Sequence, residues 1–222
     1  MQSIVFLGGG NMATALAGGM IAAGTPPQRF VVVEPAPGQR ATLAAKFPGV
    51  RVVDAPTADA LRDAGLVVLA VKPQHMREAC ASLAPLVRDV PAVLSIAAGT
   101  RIADVSRWLG GYDRIVRAMP NTPALVGAGI SGLYASATVP AAAREAAEAL
   151  LGAAGEVLRV EREATLDPVT GVSASGAAYV FYFLEGLEEA AQAMGFAPSD
   201  ARRLALATLD GAVKLAQASD TP

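Results

Sequence analysis

The sequence predicts an α/β protein in which a doubly wound parallel sheet is followed by an all-helical C-terminal domain. Short apolar runs alternate with helix-forming segments over residues 1–161, as expected when parallel strands are joined by crossover helices. From Arg162 onward the strand pattern stops, and the sequence has the pattern of one long helix that extends to Met194. We therefore predict two domains, a sheet domain over residues 1–161 and a helical domain over residues 162–222.

Apolar runs justify the strands of this sheet. The run Phe30-Val31-Val32-Val33 is apolar at every position, which is typical of a parallel strand buried on both faces. The predicted strands cover residues 3–7, 30–33, 50–53, 66–71, 91–95, 114–118, 129–135 and 156–160.

Helix-forming segments bounded by glycine or proline lie between these runs. The first helix ends at Gly24-Thr25-Pro26-Pro27, and the second begins at Pro37 and ends before Pro48-Gly49. The predicted helices of the sheet domain cover residues 11–23, 37–47, 59–63, 74–87, 102–109 and 141–151, and the last helix of the chain covers residues 198–218.

The composition limits the classes of protein to which the chain can belong. Its 222 residues are 53% hydrophobic and carry a formal net charge of −2, so a large core is available and no basic field attracts nucleic acid. The single cysteine, Cys80, excludes an internal disulfide and favours a cytoplasmic location. No apolar run reaches the ~18 residues of a membrane span. The N-terminus lacks the basic segment of a signal peptide, and no His/Cys cluster has the spacing of a metal site.

A glycine-rich turn joins the first strand to the first helix. Its spacing, Gly8-x-Gly10-x-x-Ala13, fits the dinucleotide fingerprint of a Rossmann-type sheet. Gly8 permits the sharp turn, Gly10 lets a pyrophosphate approach the backbone, and Ala13 lets the helix lie close to the strand. The amide groups at the helix start then attract the phosphate charge. A turn that binds nothing is the alternative interpretation.

Ligands of open α/β sheets lie beyond the carboxyl ends of the strands, so the residues after each predicted strand are candidates for a site. Glu34 follows the second strand, where an acid accepts hydrogen bonds from an adenosine ribose and repels a 2′-phosphate. Arg40 lies close behind and can offset that charge. The choice between NADH and NADPH therefore stays open.

Small or polar residues also follow the later strands. Lys72 can contact a ribose or a phosphate, or be an ordinary surface residue. The small side chains of Ala97-Ala98-Gly99 offer a flat surface to a planar ring, although a plain packing turn has the same composition. Asn121 lies between Pro120 and Pro123 with one donor and one acceptor group, which suits the placement of a substrate or of a nicotinamide amide. A structural turn is the alternative for Asn121.

Hydroxyl side chains cluster in the predicted long helix at Thr165, Thr170, Ser173 and Ser175. Gly176 costs a helix ~1 kcal/mol relative to Ala, so the close approach of a ligand or of a neighbouring helix should offset it. The run over residues 177–184 is apolar on nearly every face and must be buried all round. We expect a second subunit to cover it, with burial inside one chain as the alternative.

Together these motifs resemble the pyrroline-5-carboxylate reductase family. The resemblance covers essentially the whole chain and rests on five segments in the same order and spacing: Phe6 to Ala13, Ala70 to Gln74, Ser95 to Gly99, Arg117 to Ala124 and Thr170 to Phe181. It implies an NADPH- or NADH-dependent reductase that converts the cyclic imine 1-pyrroline-5-carboxylate to L-proline, the last step of proline biosynthesis. It also implies a homodimer formed by the C-terminal helices, which can assemble further.

The family's functional positions carry over to this sequence as follows. The resemblance implies that the nucleotide contacts the glycine turn, the residue after the second strand and the turns after later strands, namely Gly8, Gly9, Gly10, Asn11, Met12, Ala13, Glu34, Thr57, Ala70, Val71, Lys72, Pro73, Ala97, Ala98 and Gly99. On the substrate side we expect Asn121, Thr170 and Ser175 to line the reaction space. A protonated cyclic imine accepts hydride without a dedicated protein acid, so the enzyme's task is to position the two reactants.

Two departures from the family pattern bear on the function. The chain has Ser173-Ala174-Ser175-Gly176-Ala177-Ala178-Tyr179 where the family usually reads Ser-Gly-Ser-Gly-Pro-Ala-Tyr. The family also continues beyond residue 222 with a Gly-Gly-Thr-type loop that holds the substrate carboxylate. A nucleotide-binding protein without turnover is therefore one alternative. A hydroxyacid-dehydrogenase-like oxidoreductase is another, although residues 165–194 lack the lysine that this class generally uses.

Overall fold

The computed structural model describes residues 2–219. The chain divides into two compact units, with the division between Ala174 and Ser175. The first unit is a sheet with helices on both faces, and the second is a pair of helices.

One eight-stranded sheet forms the first unit, with the strand order β3-β2-β1-β4-β5-β6-β7-β8. The order reverses between β1 and β4, which places a topological switch point there. The strands are β1 (Ser3–Leu7), β2 (Phe30–Val33), β3 (Arg51–Val53), β4 (Ala64–Leu69), β5 (Val93–Ser95), β6 (Ile115–Met119), β7 (Gly129–Ala135) and β8 (Gly155–Arg159).

Helices connect the parallel strands, close to where the sequence predicts them. They are α1 (Asn11–Ala22), α2 (Pro37–Lys46), α3 (Ala58–Leu61), α4 (Met76–Leu83), α5 (Ile102–Trp108) and α6 (Ala141–Gly152). The prediction for α4 was too long at both ends. The 3₁₀ turn Pro73–His75 precedes it. The helix ends at Leu83 because Pro85 has no amide hydrogen with which to continue the helical bonding.

The sheet is parallel from β3 through to β6, but β7 runs antiparallel to β6. The predicted doubly wound sheet is thereby confirmed as a mostly parallel sheet, in which the β6–β7 pair is antiparallel. The link between β6 and β7 contains only the 3₁₀ turn Thr122–Val126, which is too short for the crossover that a parallel pair requires. The longer link through α6 then makes β8 parallel to β7.

Alternating side chains of the strands form two apolar layers, one on each face of the sheet. Phe6, Val32 and Leu94 belong to the layer that includes residues of α1, α2 and α6. Leu7, Val33 and Val93 belong to the layer that includes residues of α3, α4 and α5. The two buried faces explain why these strands are continuously apolar.

The segment predicted as one long helix from Arg162 to Met194 is divided. It contains the 3₁₀ turn Glu163–Thr165, the helical turn α7 (Leu166–Val169), the π-helical turn Thr170–Ala174 and then α8 (Gly176–Ala193). Pro168 provides no amide hydrogen, and Thr170 Oγ1 donates to the Leu166 carbonyl oxygen at 2.8 Å. Both features disturb regular α-helical bonding at this point.

The second unit consists of α8 and α9 (Pro198–Ala218), joined at Gly195, whose φ of +97° makes the turn. The apolar side chains of Tyr179, Val180, Phe181, Tyr182 and Phe183 are 54–78% exposed in the single chain. No described helix combines the length and the hydropathy needed to cross a bilayer.

Candidate functional site

The carboxyl ends of β1 and β4 meet at the switch point, and the loops that follow them are in direct contact. Gly8 has a φ of +96°, and a Cβ there would lie 2.7 Å from the Ala70 carbonyl oxygen. The Gly8 amide donates to Val33 at 2.8 Å, and the Ala70 amide donates to Leu7 at 2.8 Å. Only glycine fits at position 8, so the chain leaves β1 through a tight turn against the end of β4.

The helix that follows this turn has an open N-terminus. Gly10 occupies the N-cap position with no side-chain cap, and the first turn of α1 contains no acidic residue. A Cβ at Gly10 would meet no heavy atom within 4 Å. The amides of Asn11, Met12 and Ala13 precede the first intrahelical bond, which runs from Thr14 to the Gly10 carbonyl oxygen at 3.0 Å. This arrangement fits the diphosphate of a dinucleotide, because unpaired amides and the helix dipole attract an anion.

Residues after β2 hold the glycine turn from the side. Glu34 accepts the Gly9 amide hydrogen at Oε2 (2.9 Å) and the Ala36 amide hydrogen at Oε1 (3.0 Å). Gln39 Nε2 donates to the Gly9 carbonyl oxygen at 2.6 Å. Arg40 Nη1 donates to the carbonyl oxygens of Glu34 (3.0 Å) and Pro35 (2.7 Å). We call Glu34 and Gln39 the Gly9 clamp.

The remaining residues predicted to bind the cofactor lie in loops at the same edge of the sheet. Val71 and Lys72 follow β4, and Lys72 is exposed at the start of the turn that Pro73 begins. Ala97 is buried, while Ala98 and Gly99 are exposed after β5. The hydroxyl of Thr57 caps α3 by accepting the Ala60 amide hydrogen at 3.1 Å.

Asn121 joins the loop after β6 to two other segments of the first unit. Its Oδ1 accepts the Ile130 amide hydrogen of β7 at 2.9 Å, and its Nδ2 donates to Ser173 Oγ in the π-helical turn at 3.0 Å. The side chain of Asn121 is almost fully buried. Thr170 begins the same turn, so the structure brings two of the three predicted substrate-side residues to one hydrogen-bonded region. The third, Ser175, is the first residue of the second unit.

A buried arginine, Arg117, lies near this region and was not predicted as a site residue from the sequence. The Arg117 side chain on β6 is 3% exposed and donates to Glu163 at 3.1 Å and to Asp167 at 3.3 Å. Glu163 also accepts the Ile102 amide hydrogen at 2.8 Å, and Arg101 lies 3.7 Å from Asp167. These bonds fix the 3₁₀ turn and α7, which lead into the π-helical turn. A charged residue inside the apolar strand Ile115–Met119 was the available sequence signal.

The described residues were also searched for a metal site. Within residues 2–219, no group of three or more His, Cys, Asp and Glu side chains is arranged to hold a metal ion.

Comparison with known proteins identifies the relatives of this chain. Residues 3–99 match the family described as NADP oxidoreductase, coenzyme F420-dependent, and residues 163–222 match the family described as pyrroline-5-carboxylate reductase dimerisation. The chain is 44% identical over 217 residues to the pyrroline-5-carboxylate reductase of Pseudomonas aeruginosa, an alignment that covers 98% of this chain and 79% of that protein. The chain belongs to the pyrroline-5-carboxylate reductase family. The Haemophilus influenzae reductase is 37% identical over 96% of this chain and 77% of its own length.

Solved structures of pyrroline-5-carboxylate reductases have the same fold. The enzyme from Coxiella burnetii superposes with a TM-score of 0.91 at 35% identity, covering 100% of this chain and 82% of that one. The reductase from Plasmodium falciparum, solved with NADP bound, superposes with a TM-score of 0.87 at 26% identity, covering 100% of this chain and 80% of that one. The resemblance noted in the sequence, the Rossmann-type sheet and the assignment as an NAD(P)-dependent oxidoreductase are thereby confirmed.

Proposed function

We propose that this chain catalyses the NADPH- or NADH-dependent reduction of 1-pyrroline-5-carboxylate to L-proline. The observation that carries the proposal is the N-terminus of α1, which is open at Gly10. It occurs in a chain that is 44% identical to the pyrroline-5-carboxylate reductase of Pseudomonas aeruginosa. The comparisons give no support to the two alternatives, a nucleotide-binding protein without turnover and a hydroxyacid-dehydrogenase-like oxidoreductase.

The proposed nucleotide site uses the loops at the carboxyl ends of β1 to β5. The amides of residues 11–13 bind the diphosphate, and Glu34 and Thr57 lie on the adenosine side. The turns Ala70-Val71-Lys72-Pro73 and Ala97-Ala98-Gly99 complete the site, where small side chains permit a planar ring to lie close to the backbone. A bound reduced nicotinamide supplies the hydride.

Asn121, Thr170 and Ser175 are proposed to orient the cyclic imine. The imine is basic enough to be protonated in water, so these residues need only hold and desolvate it, without a strong acid of their own. The hydrogen bonds of Asn121 to β7 and to the π-helical turn support this positioning role, because they fix the polar groups around the substrate before it binds.

The proposal includes a homodimer built by residues 162–222, the predicted dimerisation and substrate domain. The exposed apolar side chains over residues 179–183 support it, since a patch of this kind is typical of an interface. A match of residues 163–222 to the dimerisation family supports it as well. The proposal also includes a cytoplasmic location, in keeping with the buried, unpaired Cys80.

Nucleotide oxidation tests the proposed reaction. The full-length enzyme is incubated with NADH or NADPH, with and without 1-pyrroline-5-carboxylate, and absorbance and proline formation are followed. Proline formed in proportion to nucleotide oxidised is the expected result. Nucleotide binding without substrate-dependent oxidation would instead identify a binding protein.

A pair of charge substitutions tests the proposed dimer. Phe183→Glu introduces a carboxylate into the exposed apolar run of α8, where it must be desolvated in an interface. Gln192→Glu adds the same charge at an exposed polar position of the same helix and is the control. Light scattering should show smaller particles for Phe183→Glu alone. Equal masses for both variants and the parent would contradict the proposed interface.

A further inference from the structure

One carboxylate oxygen joins the loop after β5 to the segment that leads into the π-helical turn. Oε1 of Glu163, in the 3₁₀ turn that follows β8, accepts the Ile102 amide hydrogen at 2.8 Å and a hydrogen of Arg117 Nη1 at 3.1 Å. Ile102 is the first residue of α5, where an amide has no partner within its own helix. The same oxygen therefore holds α5 and β6 against the 3₁₀ turn.

Two of these segments also carry residues proposed to orient the imine. Arg117 lies shortly before Asn121 in the chain, and Glu163 lies shortly before the π-helical turn Thr170–Ala174. The bond from Asn121 to Ser173 and the pair formed by Arg117 and Glu163 thus join the same two segments at two points. Two such bonds fix the relative orientation of the segments more firmly than one bond can.

The bond to Ile102 connects these segments to the proposed cofactor side of the site. The loop between β5 and α5 contains Ala97-Ala98-Gly99, the turn proposed to lie against a planar ring. The first end of this loop is held in the sheet, where Ser95 of β5 pairs with Leu69 of β4. Its second end is held by Glu163. The position of Glu163 Oε1 therefore affects both sides of the site.

We propose that Glu163 is a positioning residue for hydride transfer, which sets the distance between the turn Ala97-Ala98-Gly99 and the π-helical turn. The inference rests on the proposed function and adds to it a residue that acts through its neighbours. A displacement of about 1 Å can lower the rate of a reaction by about a hundredfold, so a bond outside the reaction space can have a large effect. The role belongs to the position of Oε1 rather than to its negative charge.

Three substitutions of Glu163 separate the position of this oxygen from its charge. Glu163→Gln removes the charge and keeps an oxygen at which both donors can meet. Glu163→Asp keeps the charge, but it shortens the side chain by one methylene group, so its oxygens should not reach both donors. Glu163→Ala removes the acceptor. Glu148→Gln is the control, because it removes the charge of another partly buried glutamate, which pairs with Arg159 between α6 and β8.

Hydrogen exchange of the Ile102 amide reports the bond to Glu163 without any reaction. It is followed by NMR in the full-length enzyme, in the absence of nucleotide and substrate. We expect similar protection of this amide in the parent, in Glu163→Gln and in Glu148→Gln. Exchange should be at least about tenfold faster in Glu163→Asp and Glu163→Ala, because the amide has lost its acceptor.

Steady-state kinetics with 1-pyrroline-5-carboxylate measures the consequence for the reaction, after circular dichroism has confirmed that each variant is folded. We expect kcat of Glu163→Asp to fall at least about tenfold, while the nucleotide dissociation constant changes by less than about threefold. Glu163→Gln should keep most of the parental kcat. Deuterium at the transferred position of the nucleotide should slow Glu163→Asp more than the parent, because hydride transfer then limits the rate.

Four outcomes would overturn the inference. They are equal protection of the Ile102 amide in all variants, parental kcat in Glu163→Asp, a loss of kcat in Glu163→Gln as large as that in Glu163→Asp, and an equally large loss in Glu148→Gln. A parent enzyme that does not reduce 1-pyrroline-5-carboxylate would contradict the proposed function itself. Hydrogen exchange at Ile102 does not depend on turnover, so the two failures are distinguishable.

Discussion

Asn121 donates a hydrogen bond from Nδ2 to Ser173 Oγ at 3.0 Å, across 52 positions of sequence. The orientation of the Asn121 amide group is set by its other end, because Oδ1 accepts the Ile130 amide hydrogen. Ser173 is therefore an acceptor in this bond and keeps its own proton for another partner. Ser173 is only partly buried, so that proton is available to a ligand.

The first prediction concerns this pair. Asn121→Ala leaves the Ile130 amide and the Ser173 hydroxyl without their partner, so we expect the free energy of unfolding to fall by about 1–3 kcal/mol. Turnover of 1-pyrroline-5-carboxylate should fall as well, because the π-helical turn loses its anchor. Denaturant titration and steady-state kinetics measure the two effects. Thr122→Ala, at the exposed neighbouring position, is the control, and unchanged turnover in Asn121→Ala would remove Asn121 from the site.

The second prediction ranks the partners of Arg117. Glu163 is 26% exposed and Asp167 is 50% exposed, and Glu163 also accepts the Ile102 amide hydrogen. Glu163→Gln should therefore destabilise the fold more than Asp167→Asn, since the better-buried bond to Arg117 gains more from its charge. We expect about 1–3 kcal/mol for Glu163→Gln and less than about 1 kcal/mol for Asp167→Asn.

Urea titration of both variants measures this ranking. Arg117→Lys is the informative companion variant, because lysine keeps the charge but cannot bond to two carboxylates in the planar geometry of a guanidinium. It should lose stability and turnover together. Equal losses in Glu163→Gln and Asp167→Asn would show that burial does not determine the strength of these ion pairs.

Local patterns were sufficient to predict most of the sheet and the glycine turn. The run Phe30–Val33 is apolar on both faces, and its predicted bounds match β2. The direction of β7 was not predictable in the same way, because a strand has the same alternation of side chains whether its neighbour is parallel or antiparallel. The direction of β7 follows from the short connection after β6, which cannot make the crossover that a parallel pair requires.

Contacts between distant segments explain what the sequence did not reveal. Arg117 pairs with Glu163 and Asp167, which lie 46 and 50 positions away. The division of the predicted long helix coincides with these contacts and with the bond from Asn121 to Ser173. A helical pattern reports which face of a segment is apolar, but it carries no information on a partner that approaches from another strand.

The third prediction compares two glycines of the same turn. Gly8→Ala should destabilise the fold, because a left-handed backbone costs a residue with a Cβ about 1–2 kcal/mol and the Cβ would contact the Ala70 carbonyl oxygen. Gly10→Ala should leave the stability within about 0.5 kcal/mol of the parent, because φ is −75° there and the space is open.

The effect of Gly10→Ala on nucleotide affinity should be large even though its effect on the free energy of unfolding is small. We expect Gly10→Ala to weaken NADH at least about tenfold, or about 1.4 kcal/mol, because its methyl group occupies the space through which the diphosphate approaches. Thermal melts and nucleotide fluorescence measure both properties in the same samples. Unimpaired nucleotide binding by a well-folded Gly10→Ala variant would show that the diphosphate does not lie against this part of the backbone.

The fourth prediction concerns alkaline pH. Burial raises the pKa of the Cys80 thiol from its ordinary value of 9.0 to about 11. Between these values the unfolded chain releases the thiol proton while the folded chain keeps it, so the free energy of unfolding should fall as the pH rises through this window. Below pH 9 the contribution is fully present, and across the window the loss amounts to about 3 kcal/mol.

Cys80→Ala has no thiol to titrate. The difference between its free energy of unfolding and that of the parent, measured in urea at each pH, therefore isolates the contribution of Cys80 from the titration of other groups. The same protonated, buried thiol should resist labelling by a thiol reagent at neutral pH until the chain is unfolded. A native chain that reacts as fast as free cysteine, or a Cys80→Ala variant with the same alkaline slope as the parent, would contradict the assignment.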